Sequence, residues 1–308
     1  MKRFVVVCLA ALALPASAFA WGGVYATGDT LGTSVHIDVS DSYPVDDTLP
    51  QTWAAYLGTL VHGPELSKLT LRLAPLPEVE AKCGAQALAC YDPNTETILA
   101  SPDDTLDQPP AKEVVAHEYG HHIARNRLDS PLLAEDFGTK RWASYENICA
   151  RSASGELSPG NEGTAYTENP GEAFAESYRV LNLTNEGDTA ISWDIVDKSL
   201  YPDSTALALL EQDVLNPWTG PTLTHVKGSF GNGAVRTIGL KTTLDGTLVA
   251  RLHAPTKGTF RLSLWSGSTL VERGISSVRY EICGQRTLTL KVERLRGHGA
   301  FTVDISKP

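Results

Sequence analysis

Residues 114–124, VVAHEYGHHIA, decide how the rest of the chain is interpreted. Residues four apart on an α-helix lie above one another on one face, so His117 and His121 can direct both imidazoles to one point. Glu118 is rotated by about a quarter turn from His117, where it can reach a water molecule without becoming a ligand. The pattern predicts a zinc-binding helix with Glu118 as the base. The alternative is a chance HExxH on an ordinary amphipathic helix.

The residues around this motif are consistent with a single helix. A Pro-Pro pair at 109–110 opens it, and it is expected to end near Arg127. Gly120 inside the helix costs about 1 kcal/mol of helix propensity relative to alanine. We therefore expect another segment to approach the backbone closely at Gly120. His122 faces away from the side shared by the two predicted ligands and is expected to be a bystander.

A catalytic zinc needs three protein ligands and one open position. Arg127 stands six residues after His121, where a metzincin would have a third ligand, and Met1 is the chain's one methionine, so no Met-turn is available. The metzincin arrangement is therefore excluded. Glu146 is one candidate for the third ligand, but Ala150, one helical turn further on, offers no partner for a ligating histidine.

The segment ENPGEAFAESYR, residues 168–179, holds a better candidate. Glu172 and Glu176 are four apart, so Glu176 could accept the free N–H of a histidine that binds the same metal as Glu172. The alternative is structural: with Asn169 as N-cap and Pro170 at the first helical position, Glu172 is a capping-box carboxylate. The cap leaves Glu176 unexplained, so we predict Glu172 as the third ligand and Glu176 as the partner of a histidine.

The first twenty residues, MKRFVVVCLAALALPASAFA, predict a signal peptide. Lys2 and Arg3 precede an apolar run, and small residues at Ala18 and Ala20 favour cleavage after Ala20. The apolar run is too short to span a bilayer, and no later segment is long and apolar enough. We therefore expect a secreted chain, extracellular or periplasmic, without a transmembrane segment.

The remaining chain divides into two parts of different texture and charge. Residues 21–216 carry 11 Lys and Arg against 31 Asp and Glu, whereas residues 217–308 carry 13 against 5. The first part predicts an α+β domain, with strands at 34–40 and 68–75, a hairpin at 87–101, a polar loop at 154–168, and helices at 49–63, 139–153, 170–182 and 203–215. The second part has short alternating runs with Gly-rich turns and predicts an all-β sandwich domain.

The charge asymmetry limits the partners of each part. The acidic first part would repel phosphate, which argues against nucleic acid. The basic second part suggests binding to an anionic surface such as a cell-envelope polymer, or docking on the acidic domain. A folded spacer is the alternative for residues 217–308.

Four cysteines remain after the predicted cleavage, an even number that favours disulfides in an exported protein. Cys83 and Cys90 close a short loop, CGAQALAC, and are expected to pair with each other. That pairing leaves Cys149 with Cys283, which would link the acidic part of the chain to the basic part. A cysteine nucleophile is the less favoured interpretation.

HEYGH followed some fifty residues later by AYTENPGEAFAE resembles the gluzincin metallopeptidases, especially those related to the anthrax lethal factor catalytic domain. The resemblance covers about a third of the chain and implies a zincin-like fold for residues 21–216. It also implies that Glu172 is the third zinc ligand and that Tyr166 stabilises the oxyanion. The basic part resembles the β-sandwich domains of pre-peptidase C-terminal type that are appended to secreted bacterial peptidases.

Together these features predict a secreted zinc endopeptidase with one catalytic Zn²⁺ and a peptide or protein substrate. Glu118 would act as general base on a zinc-activated water. The hairpin at 87–101 would offer an edge strand to an extended peptide, braced by the Cys83–Cys90 bridge. The alternatives are an inactive zinc-binding surface protein and a non-peptidase zinc hydrolase. A purely structural zinc is disfavoured because such sites are usually rich in cysteine.

Overall fold

The computed structural model describes residues 19–105, 108–188, 191–193, 195–230, 233–255 and 258–308. The described chain begins with a mixed α and β part and ends with an antiparallel β part, as predicted. The first part contains β1 (Phe19–Ala26), β2 (Ser34–Ser40), α1 (Thr48–Leu57), β3 (Thr70–Leu73), α2 (Leu76–Cys83), β4 (Ala89–Asp92), β5 (Thr97–Ala100), α3 (Ala111–Arg125), α4 (Ala134–Phe137), α5 (Lys140–Tyr145), α6 (Ile148–Ala153), α7 (Pro170–Glu186) and α8 (Ser204–Leu215).

One five-stranded sheet lies in this first part, in the order β1-β2-β3-β5-β4. The three central strands are parallel, and each edge strand, β1 and β4, is antiparallel to its neighbour. Strand β2 buries Val35, Ile37 and Val39 on one face, because alternate residues of a strand point to the same side. These side chains share one core with buried residues of α3 and α7, including Val115, Tyr119, Ile123, Phe174 and Tyr178.

The predicted elements of this part agree with the structure except at several boundaries. The strand at 34–40 and the hairpin at 87–101 are confirmed as β2 and as the β4–β5 pair. The helix predicted to reach residue 63 ends at Leu57. The next residue, Gly58, lies so close to Thr27 that a β-carbon there would be only 2.8 Å from the Thr27 carbonyl oxygen. The helix predicted at 139–153 is two helices, because Asn147 adopts a left-handed conformation between them.

Two four-stranded antiparallel sheets form the second part, in the orders β10-β9-β12-β7 and β11-β8-β13-β6. Their inward residues, such as Leu264 and Leu290 of one sheet and Leu248 and Val303 of the other, belong to one hydrophobic cluster. An all-β unit is therefore confirmed. The strands are β6 (Thr222–Phe230), β7 (Val235–Lys241), β8 (Gly246–His253), β9 (Thr259–Ser266), β10 (Thr269–Gly274), β11 (Ser277–Ile282), β12 (Thr287–Arg296) and β13 (Gly299–Lys307).

The two parts are joined covalently and by hydrogen bonds. Both predicted disulfides are present, Cys83–Cys90 and Cys149–Cys283. Next to the second disulfide, the backbone N–H of Asp245 donates to the Ser144 hydroxyl at 2.9 Å. The main hydrophobic clusters of the described residues are separate: one is drawn from residues 35–214 and the other from residues 230–305. The predicted boundary at 216/217 falls between them.

The predicted signal segment lies almost wholly outside the described residues, which begin at residue 19. Strand β1 pairs with β2 in an unbroken register from Trp21 onward, and its irregularity lies between Phe19 and Trp21. Cleavage after Ala20 would therefore leave the regular pairing complete. Among the described residues, no helix is long and apolar enough to cross a membrane.

The two disulfides should differ in their effect on stability, because they close loops of different length. The sequence separation is 134 residues for Cys149–Cys283 and 7 for Cys83–Cys90. In the chain-entropy model, the free energy of unfolding falls by about 5 kcal/mol when the disulfide that closes the long loop is removed. It falls by about 2.5 kcal/mol when the disulfide of the short loop is removed. We expect Cys149→Ala/Cys283→Ala to lower the urea midpoint more than Cys83→Ala/Cys90→Ala does. Equal midpoints for the two double variants would contradict this prediction.

Candidate metal centre

The contact between α3 and α7 brings the predicted site together. At Gly120 of α3 the two helices are so close that a β-carbon would lie 2.7 Å from the Cα of Ala175 on α7. The expected close approach at Gly120 is therefore present, and its partner is the backbone of the other site helix. Because α7 begins at Pro170, Glu172 lies in its first turn. The Glu172 carboxylate contacts His117 near the middle of α3.

Three of the predicted residues form a compact cluster of metal-binding atoms. The Nε2 atom of His117 lies 3.2 Å from Oε2 of Glu172, and the Nε2 atom of His121 lies 3.4 Å from Oε1 of the same carboxylate. One donor atom from each of these residues lies within 4.8 Å of the others, and no other such group occurs among the described residues. The spacing and the helix contact together bring residues 55 apart in sequence into one site.

The donor atoms lie close enough together to share one metal ion. Zinc bonds of about 2.0–2.1 Å place neighbouring ligand atoms about 3.3–3.4 Å apart at tetrahedral angles. His117 and His121 lie 3.2 and 3.4 Å from different oxygens of Glu172, and one donor atom from each of the three residues lies within 4.8 Å of the others. Two imidazole nitrogens and a carboxylate oxygen are also a ligand set that transition metals accept. The residues present therefore fit a bound divalent metal ion.

Glu176 lies where the sequence suggested, next to one of the two histidines of the cluster. Its Oε2 atom is 3.1 Å from Nδ1 of His117, on the side of the ring opposite Glu172. A proton on Nδ1, donated to Glu176, leaves Nε2 with its lone pair free for a metal. Asn169 also acts as N-cap, because its side chain accepts the Gly171 N–H at 3.0 Å. In the same turn, the Glu172 carboxylate contacts His117, His121 and Tyr166.

The other predicted site residues line the same cleft of about 600 Å³. Glu118 and Tyr166 both face it, together with the ligand side of the metal cluster and the edge strand β4 at Ala89, Cys90 and Tyr91. The Tyr166 hydroxyl donates a hydrogen bond of 2.5 Å to Oε2 of Glu172.

Burial and neighbouring charges perturb the ionisable groups of the site. Burial raises the pKa of Glu118 above its usual range, which favours proton uptake. Burial also opposes ionisation of Glu172, but the charge of His121 and hydrogen bonds with both histidines hold its pKa well below the usual range. Burial lowers the pKa of His117, yet hydrogen bonds with Glu172 and Glu176 outweigh it and raise that pKa to about 10. The cluster therefore gathers opposite charges that a metal ion would reorganise.

Two residues that the sequence set aside lie elsewhere. His122 is fully buried and lies outside the metal cluster, with Nε2 2.9 Å from the Glu65 carbonyl and Nδ1 3.0 Å from the Tyr91 hydroxyl. Burial lowers its pKa, so it is held neutral as a bridge between α3 and the sheet. Glu146 follows the last residue of α5 and lies outside the cluster; burial and then the Asp203 charge raise its pKa to about 7.

Sequence reasoning missed Glu65, which contacts Tyr119 of α3 and Arg127 just after its end. Glu65 is 2% exposed and accepts hydrogen bonds from the Gly63 backbone and the Tyr119 hydroxyl. Its other oxygen pairs with Arg127 at 2.9 Å. Glu65 stands alone in a short segment with no periodic pattern, so no local signal marks it.

Comparisons with known proteins add little to this description. No protein-family model matches the chain, and no curated protein matches it. Among solved structures, the Yersinia pseudotuberculosis-derived mitogen shares 18% identity over 29% of this chain and 87% of its own, with a TM-score of 0.24. A periplasmic inhibitor of g-type lysozyme from Aeromonas hydrophila shares 10% identity over 30% of this chain and 90% of its own, with a TM-score of 0.26. Similarity at this level carries no argument about fold or function.

We expect Gly120→Ala to damage the site although alanine is the better helix former. The new methyl group would meet the Ala175 backbone, and relief by separating α3 from α7 would move Glu172 away from the histidines. Overpacking of this kind costs about 1–3 kcal/mol, more than the roughly 1 kcal/mol gained in propensity. The measurements are the urea midpoint and the affinity for Zn²⁺.

Gly239→Ala is the matched control, because Gly239 lies on an exposed strand with nothing within 4 Å of a new β-carbon. It should change neither property appreciably. If Gly120→Ala kept both the stability and the zinc affinity of the parent, the helix contact would not control the site.

Proposed function

We propose that this chain is a secreted zinc endopeptidase with a zincin-like catalytic domain. One observation carries the proposal: two histidines and a glutamate from separate helices meet in a cleft that also contains Glu118 and an edge strand. An open position beside three ligands, with a base next to it, distinguishes a hydrolytic site from a closed structural one. The resemblance to gluzincins drawn from HEYGH and AYTENPGEAFAE gives the same assignment.

The residues of the chain divide the chemistry among them. If bound by His117, His121 and Glu172, zinc would supply Lewis-acid chemistry that lowers the pKa of an attacking water to about 7 and polarises the scissile carbonyl. Glu118 takes the proton of that water and passes it to the leaving amine, a transfer that suits a carboxylate whose pKa is raised by burial. Tyr166 offers a hydroxyl to the oxyanion from the cleft wall once it is released from Glu172.

The edge strand β4 supplies the means to hold a peptide. It pairs with β5 on one side, and its residues Ala89 to Tyr91 line the cleft on the other. A free strand edge presents N–H and C=O groups to which an extended peptide can add as a further strand. The Cys83–Cys90 disulfide joins the end of α2 to this strand and limits its movement. An extended peptide would thus run past the metal ligands.

An exported location accords with the two disulfides and the predicted signal segment. Disulfides persist in oxidising compartments and are rare in reducing ones. With bridges in both parts of the chain, we place the mature protein outside the cytosol, either extracellular or periplasmic.

The principal alternative is a zinc-binding protein without activity, whose β part does the biological work. Glu118 favours the enzyme, because a pure metal binder needs no further carboxylate beside its ligands in the cleft. A non-peptidase zinc hydrolase would use the same metal site, and the edge strand β4 favours a peptide over a small substrate.

For the β part, we propose binding to an anionic cell-envelope polymer through basic residues that lie away from the junction with the acidic part. The ion pairs of Arg261 and Arg279 have their carboxylates within residues 217–308, whereas Arg286 lies at the junction and also donates to the Ser144 carbonyl. By strand register, Arg236 and Arg296 lie at the end of the sheets away from Cys283, and both are exposed. That end therefore presents positive charge outward.

Three variants test the proposed activity. We expect Glu118→Gln to bind about one zinc yet lose casein cleavage by a factor of at least about 10², because the proton transfer has lost its base. Glu172→Ala should lose both the metal and the cleavage. Glu146→Ala is the control and should keep both, since Glu146 lies outside the cluster. The measurements are metal content and a casein digest with and without a chelator.

Each outcome separates the alternatives. Glu172→Ala that kept zinc and cleavage would overturn the ligand assignment. A wild-type chain that binds zinc without cleaving casein or unfolded peptides would favour the inactive zinc-binding protein.

Retention on a cell-envelope preparation tests the proposal for the β part. Between about 0.1 and 1 M salt the Debye length falls from about 10 to about 3 Å, so binding carried by exposed arginines should weaken steeply. We expect Arg236→Glu/Arg296→Glu to lose most of the retention. Lys241→Glu, an exposed change at the opposite end of β7, should lose much less. Equal retention at low and at high salt concentration would contradict an electrostatic mode of binding.

A further inference from the structure

A buried arginine stands behind the metal cluster. Arg179 lies three residues after Glu176 on α7 and is 5% exposed. Its Nε donates to Oε2 of Glu176 at 3.0 Å, and one terminal nitrogen donates to Oε1 of the same carboxylate at 2.6 Å. The guanidinium therefore holds both oxygens of Glu176, a geometry that arginine provides and lysine cannot.

The other donors of Arg179 reach outside α7. One terminal nitrogen donates to the carboxylate of Glu113 in the first turn of α3. The other also donates to the Ser192 carbonyl at 2.6 Å. The guanidinium is therefore fixed from three directions, and its position does not depend on Glu176 alone.

This arrangement determines where Glu176 can point. Oε2 of Glu176 is shared between Nε of Arg179 at 3.0 Å and Nδ1 of His117 at 3.1 Å. A carboxylate held through both oxygens cannot rotate, so its Oε2 stays directed at the histidine. His117 is then held with Nδ1 protonated, its ring fixed, and Nε2 directed at Glu172.

We propose that Arg179 is a positioning residue for the metal centre, acting on His117 through Glu176. The inference rests on the proposed metal site but not on peptidase activity. It extends a chain of contacts from the ligand to a residue that touches neither metal nor substrate. Loss of an outer partner of a ligating histidine typically weakens metal binding by about 10–100-fold.

A purely structural ion pair is the alternative explanation. Arg179 also joins α3 to α7 through Glu113, so its loss could lower stability without a specific effect on the metal. The two explanations differ in what happens to zinc affinity in protein that remains folded. They also differ in how the effect depends on Glu176.

The experiment compares equilibrium Zn²⁺ affinity, by chelator competition, in full-length folded variants. Arg179→Met should bind Zn²⁺ about 10–100-fold more weakly than wild type. Arg179→Lys, which keeps the charge but cannot grip both oxygens, should fall between the two. Arg141→Met is the matched control: it breaks another arginine–carboxylate pair, with Asp213 at 2.7 Å, and should leave zinc affinity unchanged.

The dependence on Glu176 gives a second readout. Glu176→Gln alone should weaken zinc binding, and adding Arg179→Met to it should cause little further loss, because the arginine acts through that carboxylate. In the Co²⁺-substituted proteins, the visible absorption spectrum of the double variant should match that of Glu176→Gln alone, and both spectra should differ from that of wild type. Additive losses in the double variant, or equal losses in Arg141→Met, would overturn the proposal in favour of a structural ion pair.

The results distinguish failure of the role proposed for Arg179 from failure of the proposed peptidase activity. If Arg179→Met does not fold, Arg179→Lys decides the question: wild-type zinc affinity in that variant would overturn the grip on both oxygens. A wild-type protein that binds zinc but cleaves nothing would refute the peptidase and leave this inference standing. A wild-type protein that binds no zinc would refute both at their shared premise.

Discussion

The close contact of α3 with α7 is the constraint on which the site depends. Gly120 permits it, since any β-carbon there would collide with the backbone of Ala175. Only at this separation do the donor atoms of His117 and Glu172, 55 residues apart in sequence, come within 3.2 Å. Glu65 and Arg127 anchor the far end of α3, so that the helix is held at its motif and at its end. Close packing of this kind transmits small displacements instead of absorbing them.

Several charged side chains are buried at this contact, and they pair with one another. Glu176 contacts Arg179 and His117 together, while Glu172 faces both His117 and His121. Leaving a buried charge without a partner costs several kcal/mol, so removal of one member should affect the whole set. Glu118 and Glu172 both line the cleft, but burial raises the pKa of Glu118, whereas the contacts of Glu172 with His117 and His121 hold its pKa low. This difference underlies the roles proposed for the two carboxylates.

The β part contributes to the molecule in a different way. It has a separate hydrophobic core, and the Cys149–Cys283 disulfide ties it to the helices that follow α3. Hydrogen bonds from Asp245 and Arg286 to Ser144 lie at the same junction. The basic end of the sheets lies at the opposite pole from this junction. With the proposed catalytic part and the proposed surface-binding part connected in this manner, hydrolysis would take place near an anionic surface.

The sequence alone determined whatever depends on local spacing: the shared face of His117 and His121, the N-cap at Asn169, the hairpin at β4–β5 and the alternating strands of the β part. It also predicted the contact of Glu176 with one of these histidines, because helical periodicity fixes which residues share a face. It predicted both disulfides from the even number of cysteines and the short loop between Cys83 and Cys90. The tertiary structure alone decided which element approaches Gly120, where α1 ends, and that Arg179 and Glu65 hold the site from behind. These features arise from contacts between segments distant in sequence, and such contacts leave no periodic signal in the chain.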